Sequence, residues 1–231
     1  DLIVTPDYCD ASGALSPLAA FTIFQGIAAQ HAEALGVGSA AMAKKGEFWL
    51  TVHTRVDLFA RAEMMDSLTV RTWAEACSER DMRTYRSYTL SRGETLIARG
   101  KTEWAVLGPD KRVIRFSDYG FPEDYPFRAE SAIPETLQRF HEKFTEDDLF
   151  SRYTVRPTDI DLGRHMNNIA YVRLLLDCFT AQELASGKIR SVELHFSTSC
   201  FEGEELTVYR KLHDDGTCRI GIVKADGKTA S

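Results

Sequence analysis

The sequence contains the same order of elements twice, a helix followed by several strands. In SPLAAFTIFQGIAAQHAEAL, apolar residues recur at spacings of three and four, which predicts a helix with Ser16 as its N-cap and Pro17 in its first turn. NNIAYVRLLLDCFTAQEL has the same period and predicts a second helix, capped by Asn167 or Asn168. The recurring positions are Leu18, Phe21, Phe24, Ala28 and His31 in the first helix and Ile169, Val172, Leu175, Leu176 and Phe179 in the second.

Strand-like runs follow each predicted helix. After the first helix they are FWLTVHTRVDLF, SLTVRTWAEAC, MRTYRSYTLS and TLIARGKTEWAVL, and after the second they are IRSVELHFSTS, ELTVYRKL and CRIGIVKA. Turns are predicted at RGE, DDG and ADGK, which is typical of hairpins.

Sliding the second half over the first supports an internal repeat. An offset of 151 lays Asp161 on Asp10 and the second helix on the first, and an offset of 138 lays ELTV on SLTV. The change of offset falls at one extra segment in the first half, around VGSAAMAKKGE. We therefore predict two copies of one helix-plus-sheet unit, at residues 1–117 and 151–231, joined by a surface linker at residues 118–150. The second copy appears without its last strand, which is missing from this sequence or was dropped from it.

Composition narrows the class of protein. The 231 residues carry a formal charge of -6, which argues against a general nucleic-acid surface. No apolar run reaches the roughly 18 residues that would span a bilayer, and nothing at the N-terminus resembles a signal or transit peptide, so we expect a soluble, cytoplasmic protein without membrane insertion. The five cysteines are scattered and have no histidine at metal-ligand spacing, which predicts reduced thiols and no metal site.

The stretch DIDLGRHMNN, residues 159–168, holds the strongest candidate for chemistry. A turn accounts for its aspartates, glycine and asparagines, since these residues favour bends for backbone reasons, but it does not account for His165. A turn-forming Asp161 and a structurally satisfied His165 remain alternatives to a catalytic pair.

Several stretches in this order resemble the acyl-ACP thioesterase family of plants and bacteria. They are FQGIAAQHAEALGVG, FWLTVHTRVDLFARAEMMDSLTVRTW, RGKTEW and DIDLGRHMNNIAYVRLLLD, and together they span nearly the whole chain. The resemblance implies an α+β fold of two tandem hotdogs, each a long helix wrapped by an antiparallel sheet. It also implies hydrolysis of the thioester between a fatty acyl chain and acyl carrier protein (ACP) in fatty acid biosynthesis, without metal or organic cofactor.

The family's active-site pattern is similar to that of the second copy, with two departures. Asp161, His165, Asn167 and Asn168 match, but Gly163 stands where plant members have Asn. Plant members also carry Glu and Cys 34 and 35 residues after the histidine, and here these places hold Ser199 and Cys200. The resemblance therefore leaves Asp161 and His165 as the main catalytic candidates, with Ser199 as a possible donor to water.

Thioester hydrolysis needs an activated water and a group that stabilises the oxyanion. Asp161 can accept the proton of water or orient His165 so that the imidazole accepts it. The N-terminus of the helix that begins near Asn167 or Asn168 carries partial positive charge and suits an oxyanion, with Gly163 leaving space for water or substrate. Cys200 is less favoured as a nucleophile than as a small buried residue.

The first copy lacks this constellation, because Ala14 takes the place of His165 and Pro17 that of Asn168. We therefore expect the first copy to contribute the acyl pocket, although its aromatic residues also suit an ordinary core. The candidate pocket residues are Phe21, Phe24, Trp49 and Trp104.

ACP is acidic, so a protein of net charge -6 would need a local basic patch to dock it. The candidates are Arg152, Arg156, Arg164 and Arg173, which are otherwise ordinary surface arginines. An acyl-CoA thioesterase, a non-enzymatic acyl-thioester sensor or carrier, and a hotdog dehydratase remain open as rivals. A homodimer of tandem hotdogs is possible, but the sequence does not decide the oligomeric state or the acyl chain length.

Overall fold

The computed structural model describes residues 1–122 and 124–231. The helices are α1 (Pro17–Ala34), α2 (Ser39–Lys44), α3 (Asn168–Leu176) and α4 (Ala181–Ala185). The strands are β1 (Leu2–Ile3), β2 (Phe48–Leu58), β3 (Ser67–Ala74), β4 (Thr84–Arg92), β5 (Thr95–Leu107), β6 (Leu149–Thr154), β7 (Ser191–His195), β8 (Glu205–Leu212) and β9 (Cys218–Lys224). Among the helices described, none is both long enough and apolar enough to cross a bilayer.

The chain divides into two compact units. The first comprises Asp1–Leu137 and Ala181–Glu193, and the second comprises Gln138–Thr180 and Leu194–Ser231. A six-stranded sheet has the order β1-β3-β4-β5-β2-β7, and a three-stranded sheet has the order β6-β8-β9. Neighbours from β1 through β2, and both pairs of the smaller sheet, are antiparallel, so the predicted α+β class is confirmed.

The edge strand β7 begins within the first unit, although its sequence follows the second helix. The N–H of Leu58 donates to the carbonyl of Arg190 over 2.8 Å, and the hydroxyl of Ser191 donates to Asp57 over 2.7 Å. His53 Nε2 lies 3.0 Å from Glu193 Oε1. These contacts explain why residues 181–193 group with the first unit.

Helix α1 forms as the sequence predicts and packs against its own sheet. The Ser16 hydroxyl accepts from the N–H of Ala19 over 3.1 Å, which caps the first turn beside Pro17. Phe24 stacks on Tyr88 of β4, with ring centroids 4.9 Å apart. Gly100 of β5 permits this approach, because a Cβ at that position would lie 2.8 Å from the Phe24 ring.

The same face of α1 places His31 against a buried arginine. Arg86 Nη1 lies 2.7 Å from His31 Nδ1 and 3.3 Å from the Thr72 hydroxyl. Arg86 is buried, and burial together with its positive charge lowers the pKa of His31. The neutral imidazole of His31 therefore accepts a hydrogen bond from the guanidinium of Arg86.

Acidification should destabilise the protein through His31. The unfolded chain takes up a proton at this residue near pH 6.5, whereas the folded protein does so only at lower pH. The free energy of unfolding should therefore fall as the pH is lowered from 7.5 to 5.5, and urea titrations across this range would measure the slope. His31→Asn keeps an acceptor for Arg86 but cannot titrate, so it should flatten the slope, and an unchanged slope would contradict the assignment.

The predicted surface linker is partly buried. Tyr119 and Ile133 are almost inaccessible to solvent, so this part of the prediction is wrong. Lys101 Nζ donates to the carbonyl of Ile133 over 3.2 Å, and the Trp73 indole N–H donates to the carbonyl of Glu130 over 2.8 Å. Residues up to 137 are thus fastened to the first sheet by hydrogen bonds from its strands.

Helix α3 is shorter than predicted. It ends at Leu176, and the N–H groups of Cys178 and Phe179 bond back to the carbonyls of Leu175 and Leu176 in a tighter turn. Phe179 therefore lies outside the helix, and its ring packs under the guanidinium of Arg210, 5.2 Å from the ring centroid. The single helix predicted through residue 184 is wrong beyond Leu176.

The second unit buries apolar side chains of both α3 and the smaller sheet. The buried apolar side chains are Ala170, Tyr171, Val172, Leu174 and Leu176 of α3, with Leu206, Val208 and Ile222 of β8 and β9. Phe144 stacks on Tyr209 and lies across Gly221, where a Cβ would collide with the ring.

Backbone hydrogen bonds repeat at the two predicted offsets. Val4 N–H donates to Asp66 O, and Val155 N–H donates to Glu204 O, each over 3.0 Å. Leu15 N–H donates to Ala62 O, and Met166 N–H donates to Cys200 O, each over 2.8 Å. The donors differ by 151 and the acceptors by 138, so each unit internally repeats the hydrogen-bond pattern of the other.

Candidate active site

The loop that precedes α3 is a closed turn which holds Asp161 and His165 near each other. Asp161 N–H donates to His165 O over 3.1 Å, and Arg164 N–H donates to Asp161 O over 3.0 Å. Asp161 Oδ1 accepts from Gly163 N–H over 2.8 Å, a turn of the kind that aspartate favours. Arg164 adopts a φ of 60°, the left-handed conformation that completes the turn.

Asp161 and His165 form a partly exposed pair. His165 Nδ1 lies 3.9 Å from Asp161 Oδ1, with the two side chains 34% and 29% exposed. This distance exceeds that of a direct hydrogen bond, so the carboxylate and the imidazole meet only through a small rotation or through one water. His165 Nδ1 also lies 3.4 Å from the Met166 carbonyl. The pair is thus reachable by water, as a general base must be.

Asn167 caps α3 directly after this pair. Its side-chain oxygen accepts from Ile169 N–H over 2.8 Å, and its carbonyl accepts from Ala170 N–H over 2.9 Å. The prediction of a capping asparagine is confirmed for Asn167, and Asn168 is the first residue of the helix. Because the cap occupies these two N–H groups, they are not available to a substrate oxygen.

The second side of the site is the segment Thr198 to Cys200. The carbonyl of Cys200 accepts from Met166 N–H, which joins the segment to the loop that carries His165. Ser199 is exposed, whereas Cys200 is fully buried, and burial raises the pKa of its thiol. Cys200 thus meets the loop through its backbone carbonyl, and its thiol is shielded from solvent.

Two residues that the sequence did not single out hold this segment. The Tyr171 hydroxyl accepts from Cys200 N–H over 3.1 Å and lies 3.4 Å from Thr198 O. Lys224 Nζ donates to Ser199 O over 3.0 Å. Tyr171 lies in the apolar stretch of α3, so its pattern in the sequence is that of an ordinary core residue.

The first copy shows what a longer side chain does at the place of Ser199. Arg61 occupies that place, and its guanidinium lies 2.5 Å from Asp10 Oδ2 and 2.7 Å from the Ser12 hydroxyl. Asp10 and Ser12 correspond to Asp161 and Gly163 by the offset of 151. In the first copy, the side chain at this place thus binds the loop aspartate.

Gly163 gives His165 its position. A Cβ at residue 163 would lie 2.7 Å from His165 Nε2 and 3.0 Å from Asp161 Oδ1. An asparagine here would therefore displace the imidazole from where it lies in this structure.

Gly163→Ala should slow hydrolysis while leaving folding intact. The new methyl group meets the ends of two side chains, the His165 ring and the Asp161 carboxylate, so the ring moves away and catalysis should fall about tenfold. Steady-state kinetics beside a thermal melt would separate the two effects. Gly26→Ala in α1, where a Cβ meets nothing within 4 Å, is the matched control. Unchanged turnover in Gly163→Ala would mean that the observed position of His165 is not the working one.

The four candidate docking arginines differ in their environments. Arg173 forms an ion pair with the buried carboxylate of Asp159, which also accepts from the Tyr153 hydroxyl over 2.6 Å. Burial acts to raise the pKa of Asp159, but these hydrogen bonds and the guanidinium outweigh it and lower the pKa. The charge of Arg173 is thus compensated within the unit. The exposed arginines that remain for docking are Arg152, Arg156 and Arg164.

The candidate pocket aromatics lie in the first unit, and three of them belong to a connected run of rings. Trp49 meets Trp104 edge to face at 6.0 Å and Tyr119 at 5.3 Å, and its indole N–H donates to the carbonyl of Val37 over 2.8 Å. The hydroxyl of Tyr88, which stacks on Phe24, is near Trp104. Phe21 is buried on the same helix as Phe24. Their role as pocket walls stays a prediction.

Across residues 1–122 and 124–231, no group of three or more His, Cys, Asp or Glu side chains has an arrangement that could hold a metal ion.

Solved structures share the fold of this chain. An acyl-ACP thioesterase from Bacteroides thetaiotaomicron superposes with a TM-score of 0.86 at 21% identity, covering 99% of this chain and 92% of that one. The 12:0-ACP thioesterase from Umbellularia californica superposes with a TM-score of 0.78 at 16% identity, with 99% and 92% coverage. These likenesses confirm the predicted tandem hotdog fold.

Sequence comparison identifies the family. The chain is 22% identical to a chloroplastic oleoyl-acyl carrier protein thioesterase of Coriandrum sativum over 227 residues, which are 90% of this chain and 61% of the relative. It is 23% identical to a chloroplastic palmitoyl-acyl carrier protein thioesterase of Gossypium hirsutum over 193 residues, 79% of this chain and 46% of that protein. The chain thus spans about half the length of these relatives. Since the acyl-ACP thioesterase N-terminal domain matches residues 3–117 and the C-terminal domain matches residues 142–230, the chain belongs to the acyl-ACP thioesterase family.

Proposed function

We propose that the protein hydrolyses the thioester of fatty acyl-ACP, releasing a free fatty acid and ACP in fatty acid biosynthesis. The observation that carries the proposal is the closed loop before α3, which holds the carboxylate of Asp161 and the imidazole of His165 3.9 Å apart and open to solvent. The names of the relatives, oleoyl- and palmitoyl-acyl carrier protein thioesterases, support this class of substrate. The reaction needs no metal or organic cofactor, and we place it in the cytoplasm.

The proposed reaction begins with water between Asp161 and His165. The carboxylate, directly or through the imidazole, takes a proton as the water oxygen bonds to the thioester carbon. The tetrahedral oxyanion forms near the N-terminus of α3, whose dipole favours negative charge. Ser199 donates a hydrogen bond that orients the water. The oxyanion then collapses, the C–S bond breaks, and the sulfur leaves as a thiolate, since a thiol has a pKa near 8.5 and needs little help from an acid.

The remaining candidate residues have supporting roles in this proposal. The first unit receives the acyl chain beside Phe21, Phe24, Trp49 and Trp104. Gly163 leaves room for His165 and the water, and Asn167 and Asn168 hold the helix end in place. Arg152, Arg156 and Arg164 attract the acidic carrier protein.

The direct test is thiol release from a panel of acyl-ACPs of graded chain length. We expect release of free thiol with native protein, and the best substrate in the panel gives the chain length. Should native protein bind acyl-ACP for hours without releasing thiol, hydrolysis is wrong and a non-enzymatic acyl-thioester sensor takes its place. Gly163 and Ser199, the two departures from the plant pattern, favour that second function.

Charge reversal at Arg164 separates ACP from CoA as the carrier. If ACP docks on this patch, Arg164→Glu should raise the KM for acyl-ACP about tenfold and leave the KM for acyl-CoA within twofold. Arg112→Glu is the control, because this side chain is 85% exposed and lies in the first unit. If native and Arg164→Glu protein had equal KM values for acyl-ACP, Arg164 would not belong to the docking surface.

A further inference from the structure

Ser199 is exposed, yet hydrogen bonds hold the backbone on both sides of it. Thr198 O and Cys200 N–H both bond to the hydroxyl of Tyr171, over 3.4 and 3.1 Å. Ser199 O accepts from Lys224 over 3.0 Å, and Cys200 O accepts from Met166 N–H over 2.8 Å. An exposed polar loop residue usually moves freely, so this degree of restraint requires an explanation.

Tyr171 is the centre of this restraint. It is 3% exposed, and its ring meets Phe196 edge to face at 5.7 Å. Its hydroxyl receives one hydrogen bond and donates another, so the buried group is satisfied by backbone partners alone. Because Tyr171 lies on α3, the helix that follows His165 also fixes the segment that carries Ser199.

Lys224 adds a second, charged restraint on the same segment. It forms an ion pair with Glu204 at 2.9 Å while it donates to Ser199 O. Glu204 in turn accepts from Phe201 N–H over 3.0 Å. The turn on the C-terminal side of Ser199 is therefore fixed to β9 as well as to α3.

The first copy provides an internal comparison. By the offset of 151, Ala20 takes the place of Tyr171, so the first copy has no hydroxyl there. At the place of Ser199, Arg61 is held instead by its own contacts with Asp10 and Ser12. The tyrosine thus occurs in the copy where serine, a much shorter side chain, replaces the arginine that binds the loop aspartate in the other copy.

We propose that Tyr171 is a positioning residue for hydrolysis, which holds the Ser199 hydroxyl opposite Asp161 and His165 through the backbone of residues 198–200. The inference rests on the proposed function, because Ser199 acts there by orienting the attacking water. Lys224 supports the same geometry from the other side.

A double-mutant cycle tests this role. Tyr171→Phe keeps the ring but removes the hydroxyl, and it should lower kcat about tenfold with KM unchanged. In a Ser199→Ala background the same substitution should lower kcat less than twofold, because the group that it positions is already absent. Tyr209→Phe, on β8 of the same unit, is the matched control and should keep native kinetics. Equal losses in both backgrounds would show that Tyr171 does not act through Ser199.

Amide hydrogen exchange provides a readout that does not need turnover. In Tyr171→Phe, the peptide covering residues 198–201 should exchange at least tenfold faster than in native protein, whereas β8 should be unchanged. Unaltered exchange at residues 198–201 would overturn the inference whether or not the protein hydrolyses acyl-ACP. Faster exchange in a protein that releases no thiol would confirm that Tyr171 restrains residues 198–201, but it would refute the proposed function and with it the role of Tyr171 in hydrolysis.

Discussion

Asp161→Asn and His165→Ala should each lower kcat for acyl-ACP by 100-fold or more. Proton transfer by a placed side chain contributes about 10²- to 10⁴-fold, and with glycine at residue 163 and serine at residue 199 these two groups are the strongest bases at the site. Because both side chains are partly exposed, neither change leaves a buried charge, and the folded protein should persist. Thiol release in steady state measures the loss, with a thermal melt to verify folding.

The internal repeat supplies the control for this experiment. Asp10→Asn makes the same chemical change at the same place in the first copy, where the aspartate bonds Arg61 and Ser12. It should cost some stability through the weakened ion pair but keep native turnover. If Asp10→Asn and Asp161→Asn lost activity equally, the assignment of the catalytic loop to the second copy would be wrong.

Lys101→Met should destabilise the protein by about 3–5 kcal/mol. Lys101 lies 3.3 Å from Glu75 and is largely buried, and removal of one partner of such a pair leaves the other charge uncompensated. The substitution also removes the donors to the Ser131 hydroxyl and to the Ile133 carbonyl, at 3.1 and 3.2 Å. Urea unfolding measures the change, and Lys188→Met, at an exposed lysine, should shift the midpoint little.

A second substitution shows whether the uncompensated charge of Glu75 causes the loss of stability in Lys101→Met. Glu75 Oε1 accepts from the hydroxyls of Ser87 and Ser131 over 2.6 and 2.7 Å, and an amide oxygen can accept both bonds as well. Adding Glu75→Gln to Lys101→Met should therefore recover part of the lost stability, since no buried charge then remains. A double variant less stable than Lys101→Met would attribute the loss to packing instead.

Local signals in the sequence were sufficient for most of the architecture. Ser16 and Asn167 are small capping residues before apolar periods, and both cap helices in the structure. The predicted strands TLIARGKTEWAVL and ELTVYRKL coincide with β5 and β8, because turn residues bound them: RGE precedes the first and DDG follows the second. The offsets of 151 and 138 between the two copies could be found in the sequence. Turns and helix starts require a few residue types, and those residues recur in the same order in both copies.

Features that depend on distant partners were not predictable. LFSRYT forms β6, but most of its side chains are exposed, so it pairs through its backbone and shows no apolar alternation. In the sequence, the pattern of a solvated strand face is shown by Glu75, Ser87 and Lys101. In the structure, residues 131–133 cover these side chains and bond to them. Tyr171 lies among apolar residues of α3, and nothing near it in the sequence indicates that its hydroxyl meets Cys200.

The loop before α1, in which Arg61 pairs with Asp10 and Ser12, is a suitable site for protein engineering. Its turn has the same backbone hydrogen bonds as the loop before α3, since Asp10 N–H donates to Ala14 O over 2.8 Å and Gly13 N–H donates to Asp10 O over 3.0 Å. The guanidinium of Arg61 fills the space beside Asp10, whereas the backbone of the loop would leave it open. The first unit thus already contains a second copy of the aspartate and the bend of the proposed catalytic loop, and a designer would need to exchange side chains there without building a new loop.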